Sequence, residues 1–462
     1  MKLKVLLATP LVKHPIKKNG EAGEVGIPVG LLYLASYIRE RNPSIEINIQ
    51  ANRLNQYKGI SRNMERDFAD YDVIATGACT SEYPDALHML AKAKEMGKVT
   101  IMGGIFPTTN AEFVLGSGVV DYVVRGEGEA TFLDLLTRIS ERAETHQIEG
   151  VSCISDGGII HNKDRTMIEH IDDIPLPAYD LVDMNAYAKI TTGPIYSARG
   201  CAKSCKFCTL NEHWQYKHRA RSIENVIAEI EVLSGYGFSR IHFKDEILTV
   251  DRKRAIELFA KLQDYGLQFK GKSRIDTIDE ELLQVMSNAG LDTLQFGVEN
   301  ISQKALNSMR KGISGANIKR TLEMARSYCK INPIFLFGWI GETQDTLLEN
   351  SRYIEEIGTK EKVIPYISFM TPHPGSHLFD DTGLEILTYD LNCYTHKLPV
   401  AVPKSFGRQG LRMMVEQFNR LSSVTGTAHL NPPIQEAYIQ TLEGGNKEWK
   451  SKSRQDAQTI AW

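Results

Sequence analysis

Residues 199–208 read Arg-Gly-Cys-Ala-Lys-Ser-Cys-Lys-Phe-Cys, which sets Cys201, Cys205 and Cys208 in a CxxxCxxC array. Three thiolates at this spacing can hold three irons of a 4Fe-4S cluster and leave the fourth iron without a protein ligand, open to a substrate. Zinc is the rival metal. A closed structural zinc site takes four ligands, usually from CxxC pairs, and the chain has no second pair, so His213 or His218 would have to complete it. Seven cysteines are an odd number, and three crowded within eight residues suit metal ligation in a reducing compartment better than a disulfide scaffold. Cys79, Cys153, Cys329 and Cys393 lie apart from one another and read as small buried side chains. One basic run, Lys217 to Arg221, follows the array. It is either an anion site or a solvated loop leading into the helix after Ser222.

The elements that must position this array form two alternating series. From residue 4 to about 139, β-rich runs at 5–9, 45–50, 73–76, 99–102 and 122–124 alternate with helical patterns such as 31–41 and 84–96. Five such repeats predict a doubly wound, Rossmann-like or flavodoxin-like parallel sheet, whose ligands lie beyond the carboxyl ends of the strands. Those ends carry Gly77-Ala78-Cys79-Thr80-Ser81, Gly103-Gly104 and Gly126-Glu127-Gly128-Glu129, which read as a ligand shelf or as ordinary turns. Residues 146–190, with Gly157-Gly158 and then Pro175 and Pro177, are expected to be an irregular connection.

In the second series, strands are expected near 195–198, 240–244, 269–274, 293–298, 333–338 and 363–369. Val226, Ile230 and Leu233 share a helical face, and Thr277 to Glu280 reads as a capping box for a helix that stops at Gly290. Six units predict a partial (β/α)6 TIM-like barrel with its chemistry at the carboxyl ends of the strands, and the cysteine array directly follows the first of them. After Pro399 there is one apolar helix-like stretch, 411–421, and then a polar tail. The expected divisions are therefore 1–145, 146–190, 191–385 and a carboxyl-terminal segment 386–462 of no assigned role.

Bulk properties exclude several classes. The 462 residues are enough for two to four domains, and 42% hydrophobic with 24% charged residues argues for folded cores over disorder. A formal net charge of −3 lacks the positive field that non-specific nucleic-acid binding needs. No apolar stretch reaches the ~18–20 residues of a membrane span. The first ten residues read as a buried strand rather than a signal peptide, because the apolar run ends at His14-Pro15 with no cleavage site. A cytoplasmic location is expected.

The cysteine array, taken with other segments in order, resembles the radical S-adenosylmethionine (SAM) superfamily, and within it the branch with an amino-terminal cobalamin-binding domain. The resemblance covers residues 3–380 and includes Ile27 to Ala35, Gly103-Gly104-Ile105-Phe106-Pro107-Thr108, Asp121 to Glu129, Phe296-Gly297-Val298-Glu299 and Gly338-Trp339-Ile340-Gly341-Glu342-Thr343. It implies that Cys201, Cys205 and Cys208 hold the cluster and that SAM chelates its open iron and is cleaved to a 5′-deoxyadenosyl radical. Phe207 is similar to the aromatic residue that covers the adenine, with a core phenylalanine as the alternative. Asp245 and Glu246 are expected to receive the ammonium of SAM, Arg274 its carboxylate, and Glu299 other polar groups, while the backbone at Gly341 and Glu342 approaches the adenosine. Each of these charged residues reads equally well as a salt bridge or a helix cap.

For cobalamin, the resemblance points to Thr80, Ser81, Gly103, Gly104, Gly126, Glu127 and Gly128. The Asp-x-His-x-x-Gly motif of proteins that place a histidine below cobalt is missing, as in many members of this branch: the stretch around His14 has neither the Asp nor the Gly, so His14 is not expected to ligate cobalt. The implied activity is that of a cobalamin-dependent methyltransferase acting on a carbon centre, with a ring-forming or rearranging enzyme as the alternative. A methylthiotransferase would need three more cysteines upstream, where only Cys79 and Cys153 occur. A non-catalytic carrier would favour four protein ligands. Expected partners are a small-molecule, lipid or peptide substrate and an electron donor such as flavodoxin or ferredoxin.

Overall fold

The computed structural model describes residues 2–10, 25–155 and 157–425; His14 and the tail from residue 426 lie outside the described residues. The chain forms two compact units that divide between Thr192 and Gly193.

The first unit is built on seven strands: β1 (Leu3–Ala8), β2 (Ile45–Gln50), β3 (Val73–Gly77), β4 (Val99–Gly103), β5 (Tyr122–Val124), β6 (Val151–Ser155) and β7 (Gly158–His161). Their order is β2-β1-β3-β4-β5-β6-β7, with parallel pairing from β2 through β5. This is the 2-1-3-4-5 order of flavodoxin-like sheets. Helix Val29–Arg41 crosses from β1 to β2 and helix Tyr83–Glu95 from β3 to β4, while Gly128–Glu141 links β5 to the antiparallel β6. Val5, Leu7, Val73 and Ile101 are buried on one face and Leu6, Ile74 and Met102 on the other, because such a sheet is covered on both faces, which is why its strands read as apolar runs.

The stretch expected to be irregular carries two of these strands. β6 pairs antiparallel with β5, and β7 with β6 through Ser155↔Gly158. The sequence signal is Asp156-Gly157 between two β-rich runs, a strong hairpin dipeptide, which the proline-rich segment downstream masked.

The second unit holds β8 (Gly193–Ile195), β9 (Ala198–Arg199), β10 (Arg219–Ala220), β11 (Arg240–Phe243), β12 (Gln268–Ser273), β13 (Leu291–Glu299), β14 (Lys330–Phe337), β15 (Tyr366–Phe369), β16 (Leu384–Ile386) and β17 (Ala401–Pro403). Six of them form one sheet, β15-β14-β13-β12-β11-β8, in which every pair is parallel, so all carboxyl ends share one edge. The expected first strand is split: β8 enters this sheet, and β9 pairs with β10. The last strand is shorter than expected, since Pro365 lacks the N–H the ladder needs and Val363 makes only an isolated bridge to Ile331. The cap of helix Glu280–Asn288 is Asp279, which accepts the Leu282 N–H at 2.9 Å, while Thr277 lies in the preceding turn. Gly290 ends that helix as expected: its φ is +101°, and a Cβ there would meet the Leu267 carbonyl at 2.2 Å.

The apolar stretch at 411–421 is part of helix Gly407–Thr425. Phe418 stacks on Phe369 of β15 with centroids 4.7 Å apart, and Arg420 pairs with Glu355 at 2.8 Å. No helix among the described residues is long and apolar enough to cross a membrane. The buried stack should matter far more than the exposed pair. Phe418→Ala should cost about 3–5 kcal/mol, and Arg420→Ala less than about 1 kcal/mol, in urea unfolding followed by tryptophan fluorescence.

Candidate active site

The cysteine loop leaves β9 at the carboxyl edge of the second sheet. Its first turn needs glycine: Gly200 has φ +86°, and a Cβ there would meet the Lys217 carbonyl at 2.2 Å. Glu246, just beyond β11, fixes that turn by accepting the Gly200 N–H at 3.2 Å and the Trp214 indole N–H at 3.0 Å. Neighbouring Asp245 accepts the Ser197 N–H at 2.7 Å and the Ser197 hydroxyl at 2.5 Å. Burial pushes the Asp245 carboxyl up to about 6. Both carboxylates are thus engaged with the segment that launches the loop.

All three thiols are free of disulfides, Cys201 buried and the other two partly buried. The Lys203 N–H points to Cys201 Sγ at 3.5 Å, and Arg274 Nη1 donates to Cys205 Sγ at 3.7 Å. An N–H aimed at Cys201 and a guanidinium aimed at Cys205 are contacts that stabilise thiolate ligands, so the donor set fits an iron-sulfur group. Among the described residues, no three His, Cys, Asp or Glu side chains converge around a position for one metal ion, His213 and His218 included.

Arg274 follows β12. Its Nε and Nη2 make a two-point contact with Asp276 at 2.8 and 3.1 Å, and Nη2 also donates to the Lys311 carbonyl at 2.6 Å. Lys311 brings a charged group that no motif in the sequence marks. Its ammonium pairs with Glu299 Oε1 at 2.8 Å, both side chains buried, and lies 5.3 Å from the Phe207 ring centroid. A register shift between Gly297 and Glu299 in the pairing of β13 with β14, with φ +68° at Glu299, turns this carboxylate toward the lysine. Gly297 makes the room, since a Cβ there would meet Glu299 Oε1 at 2.8 Å and Lys311 Nζ at 2.9 Å. The available signal was a cation directly before a glycine, Lys311-Gly312.

Phe207 meets the edge of Trp339 at 6.3 Å and packs on an apolar group that includes Met309, Leu336 and Met370. Trp339 follows Gly338, where the backbone turns at φ +87° beyond β14. Glu342 holds this turn, its Oε2 accepting the Gly338 N–H at 2.6 Å. Glu342 is buried, and burial pushes its carboxyl up to about 8. Gly341, at φ +81°, faces open space, with no atom within 4 Å of its Cβ position.

The basic run leads into helix Ile223–Gly235, which begins after Ser222 as expected, with Lys217 exposed and Arg221 turned inward. Arg221 is buried against Glu229 and donates to the Tyr196 carbonyl at 2.9 Å and Asn225 Oδ1 at 2.6 Å, so it braces the loop. Arg219 belongs to β10 and lies 5.9 Å from the Trp214 ring centroid.

In the first unit, the sheet order sets the turns after β3, β4 and β5 side by side. Gly104, at φ +98°, has room for no side chain, because a Cβ would meet the Ala78 N and O at 3.0 Å. The Ala78 N–H bonds the Gly103 carbonyl at 3.0 Å, the Gly126 N–H bonds Thr108 Oγ1 at 3.0 Å, and Glu127 accepts the Ile168 N–H at 3.0 Å. Thr80 is buried in a short turn, and Ser81 Oγ lies 3.6 Å from Cys79 Sγ. Gly126 faces open space and Gly128 packs on Leu34, so the edge presents backbone rather than bulky side chains.

Glu342 gives a pH test of these assignments. Its carboxyl titrates near 4.5 when unfolded and near 8 when folded, so the folded state holds the extra proton between those values. The resulting stability is complete below about 4.5 and lost as pH rises through about 8. Glu342→Gln, a neutral isostere, should therefore gain stability relative to the native chain as pH is raised from 5 to 9, measured by urea unfolding at each pH.

Comparison with known families agrees with this geometry. The radical SAM superfamily pattern matches residues 195–354, and the B12 binding domain pattern matches residues 19–136. An uncharacterized methyltransferase of Pyrococcus horikoshii is 29% identical over 428 residues, covering 90% of this chain and 91% of that one. The anaerobic magnesium-protoporphyrin IX monomethyl ester cyclase of Rubrivivax gelatinosus is 27% identical over 417 residues, covering 86% and 74%. Among solved structures, the radical SAM methyltransferase TsrM from Kitasatospora setae shares the fold, with a TM-score of 0.69 at 18% identity over 84% of this chain and 78% of that one. The chain thus joins a B12-binding domain, residues 19–136, to a radical SAM domain, residues 195–354.

Proposed function

We propose that this protein is a cobalamin-dependent radical SAM methyltransferase that methylates a carbon centre of a small-molecule, lipid or peptide substrate. The observation that carries the reading is the loop with Cys201, Cys205 and Cys208, none in a disulfide, at the carboxyl edge of a six-stranded parallel sheet, on the same chain as a flavodoxin-order sheet with a glycine-lined edge. The relative named as a methyltransferase along nine-tenths of the chain supports the reaction class. When bound, the cluster, SAM and cobalamin supply hydrogen abstraction from carbon and a transferable methyl group.

The residues divide the remaining work. Cys201, Cys205 and Cys208 hold the cluster, with Glu246 and Gly200 fixing where the loop begins. Phe207 and Trp339 form an apolar wall, and Lys311 with Glu299 places a fixed charge pair beside it for the polar groups of SAM. Gly341 leaves backbone open to the adenosine. In the first unit, Thr80, Ser81 and the turns at Gly103-Gly104 and Gly126-Glu127-Gly128 form the cobalamin side, with no role for His14 at cobalt. The electron comes from a low-potential donor of the flavodoxin or ferredoxin kind, and the location is cytoplasmic. A ring-forming reaction is the second reading, favoured by the cyclase at 27% identity.

Anaerobically reconstituted protein should contain about four irons per chain, and Ala at any of the three cysteines should remove most of the iron and all SAM cleavage. Recovery of zinc in place of iron, with both metals supplied, would contradict the cluster assignment. With substrate, 5′-deoxyadenosine and S-adenosylhomocysteine should form in equal amounts alongside methylated product. 5′-Deoxyadenosine with an altered but unmethylated product would favour ring formation. His14→Ala should retain cobalamin, and the electron paramagnetic resonance (EPR) spectrum of its cob(II)alamin form should match that of the native chain, without nitrogen splitting from histidine.

A further inference from the structure

The guanidinium of Arg274 was expected to meet the carboxylate of SAM, and its contacts indicate a different role. A carboxylate is best received on the Nε and Nη2 edge, where two parallel N–H bonds form. That edge is occupied by Asp276, at 2.8 and 3.1 Å, and Nη2 is shared with the Lys311 carbonyl at 2.6 Å. The outer nitrogen, Nη1, donates instead to Cys205 Sγ at 3.7 Å. Arg274 is only 5% exposed, so its charge acts on that sulfur with little screening by water.

We propose that Arg274 is a positioning residue that sets how readily the cluster held by Cys205 accepts an electron, and that Asp276 moderates it. The inference rests on the cluster assignment above. The step concerned takes one electron from a low-potential donor, which is oxidised by one electron, and adds one negative charge to the cluster and its thiolates; no bond breaks and no proton moves. A buried cation with an N–H directed at a ligating sulfur stabilises the more negative, reduced state and raises the potential. Asp276 fixes the guanidinium plane and offsets part of its charge. Removing the two residues should therefore move the potential in opposite directions, which a purely structural role for Arg274 would not produce.

The test is an EPR-monitored redox titration of the reconstituted full chain with dithionite, with iron content measured on each sample. SAM binding to the oxidised protein is measured in parallel by equilibrium dialysis. Arg274→Gln should keep its iron and shift the midpoint to more negative potential; Asp276→Asn should shift it to more positive potential; Arg274→Lys should fall between Arg274→Gln and the native chain. An unchanged midpoint in Arg274→Gln, with SAM binding weakened about tenfold or more, would overturn the proposal and restore the carboxylate role. If Arg274→Gln loses its iron, Asp276→Asn decides, and an unshifted midpoint there would overturn the proposal. A native chain that takes up no cluster would remove the functional reading itself, an outcome visible in the iron content before any titration.

Discussion

The contact between Arg274 and Cys205 organises the carboxyl edge of the second unit. Through one guanidinium, the cysteine loop is joined to the end of β12 and, by the Lys311 carbonyl, to the segment that follows β13. That segment also donates and accepts directly: the Lys206 N–H bonds the Met309 carbonyl at 3.1 Å, and the Lys311 ammonium closes on Glu299. Removing one partner from such a buried set leaves charge without compensation, which costs more than the contact itself contributes. The loop thus has a defined course although it contains almost no regular secondary structure.

Glycine allows these contacts to form. Gly200 lets the loop pass beneath the Lys217 carbonyl, and Gly297 clears the space that the Glu299–Lys311 pair fills. In the first unit, Gly104 passes against the Ala78 backbone, so adjacent strand ends meet through main chain. An edge of bare backbone can be approached more closely than one lined by a row of side chains.

The architecture was legible because both series of strands are apolar runs bounded by turn residues, and the parallel order follows from the helices between them. The β6–β7 hairpin is signalled only by Asp156-Gly157, a short cue beside the prolines downstream. At the site, the cysteine spacing identified the loop, but the partners of each charged group were not legible. Nothing in a linear reading says that Asp276, two residues from Arg274, occupies the guanidinium edge that SAM was expected to use. Nor does it say that a strand irregularity at Val298 turns Glu299 toward a lysine twelve positions on. Such pairings depend on which strand ends become neighbours, which the fold decides.

The central claim is that three thiolates leave one iron of the cluster open for SAM. Mössbauer spectroscopy of protein reconstituted with iron-57, before and after adding SAM, tests this most directly. One of the four irons should change its signal on SAM addition while the other three keep theirs. Spectra identical with and without SAM, at concentrations where SAM binds, would contradict it.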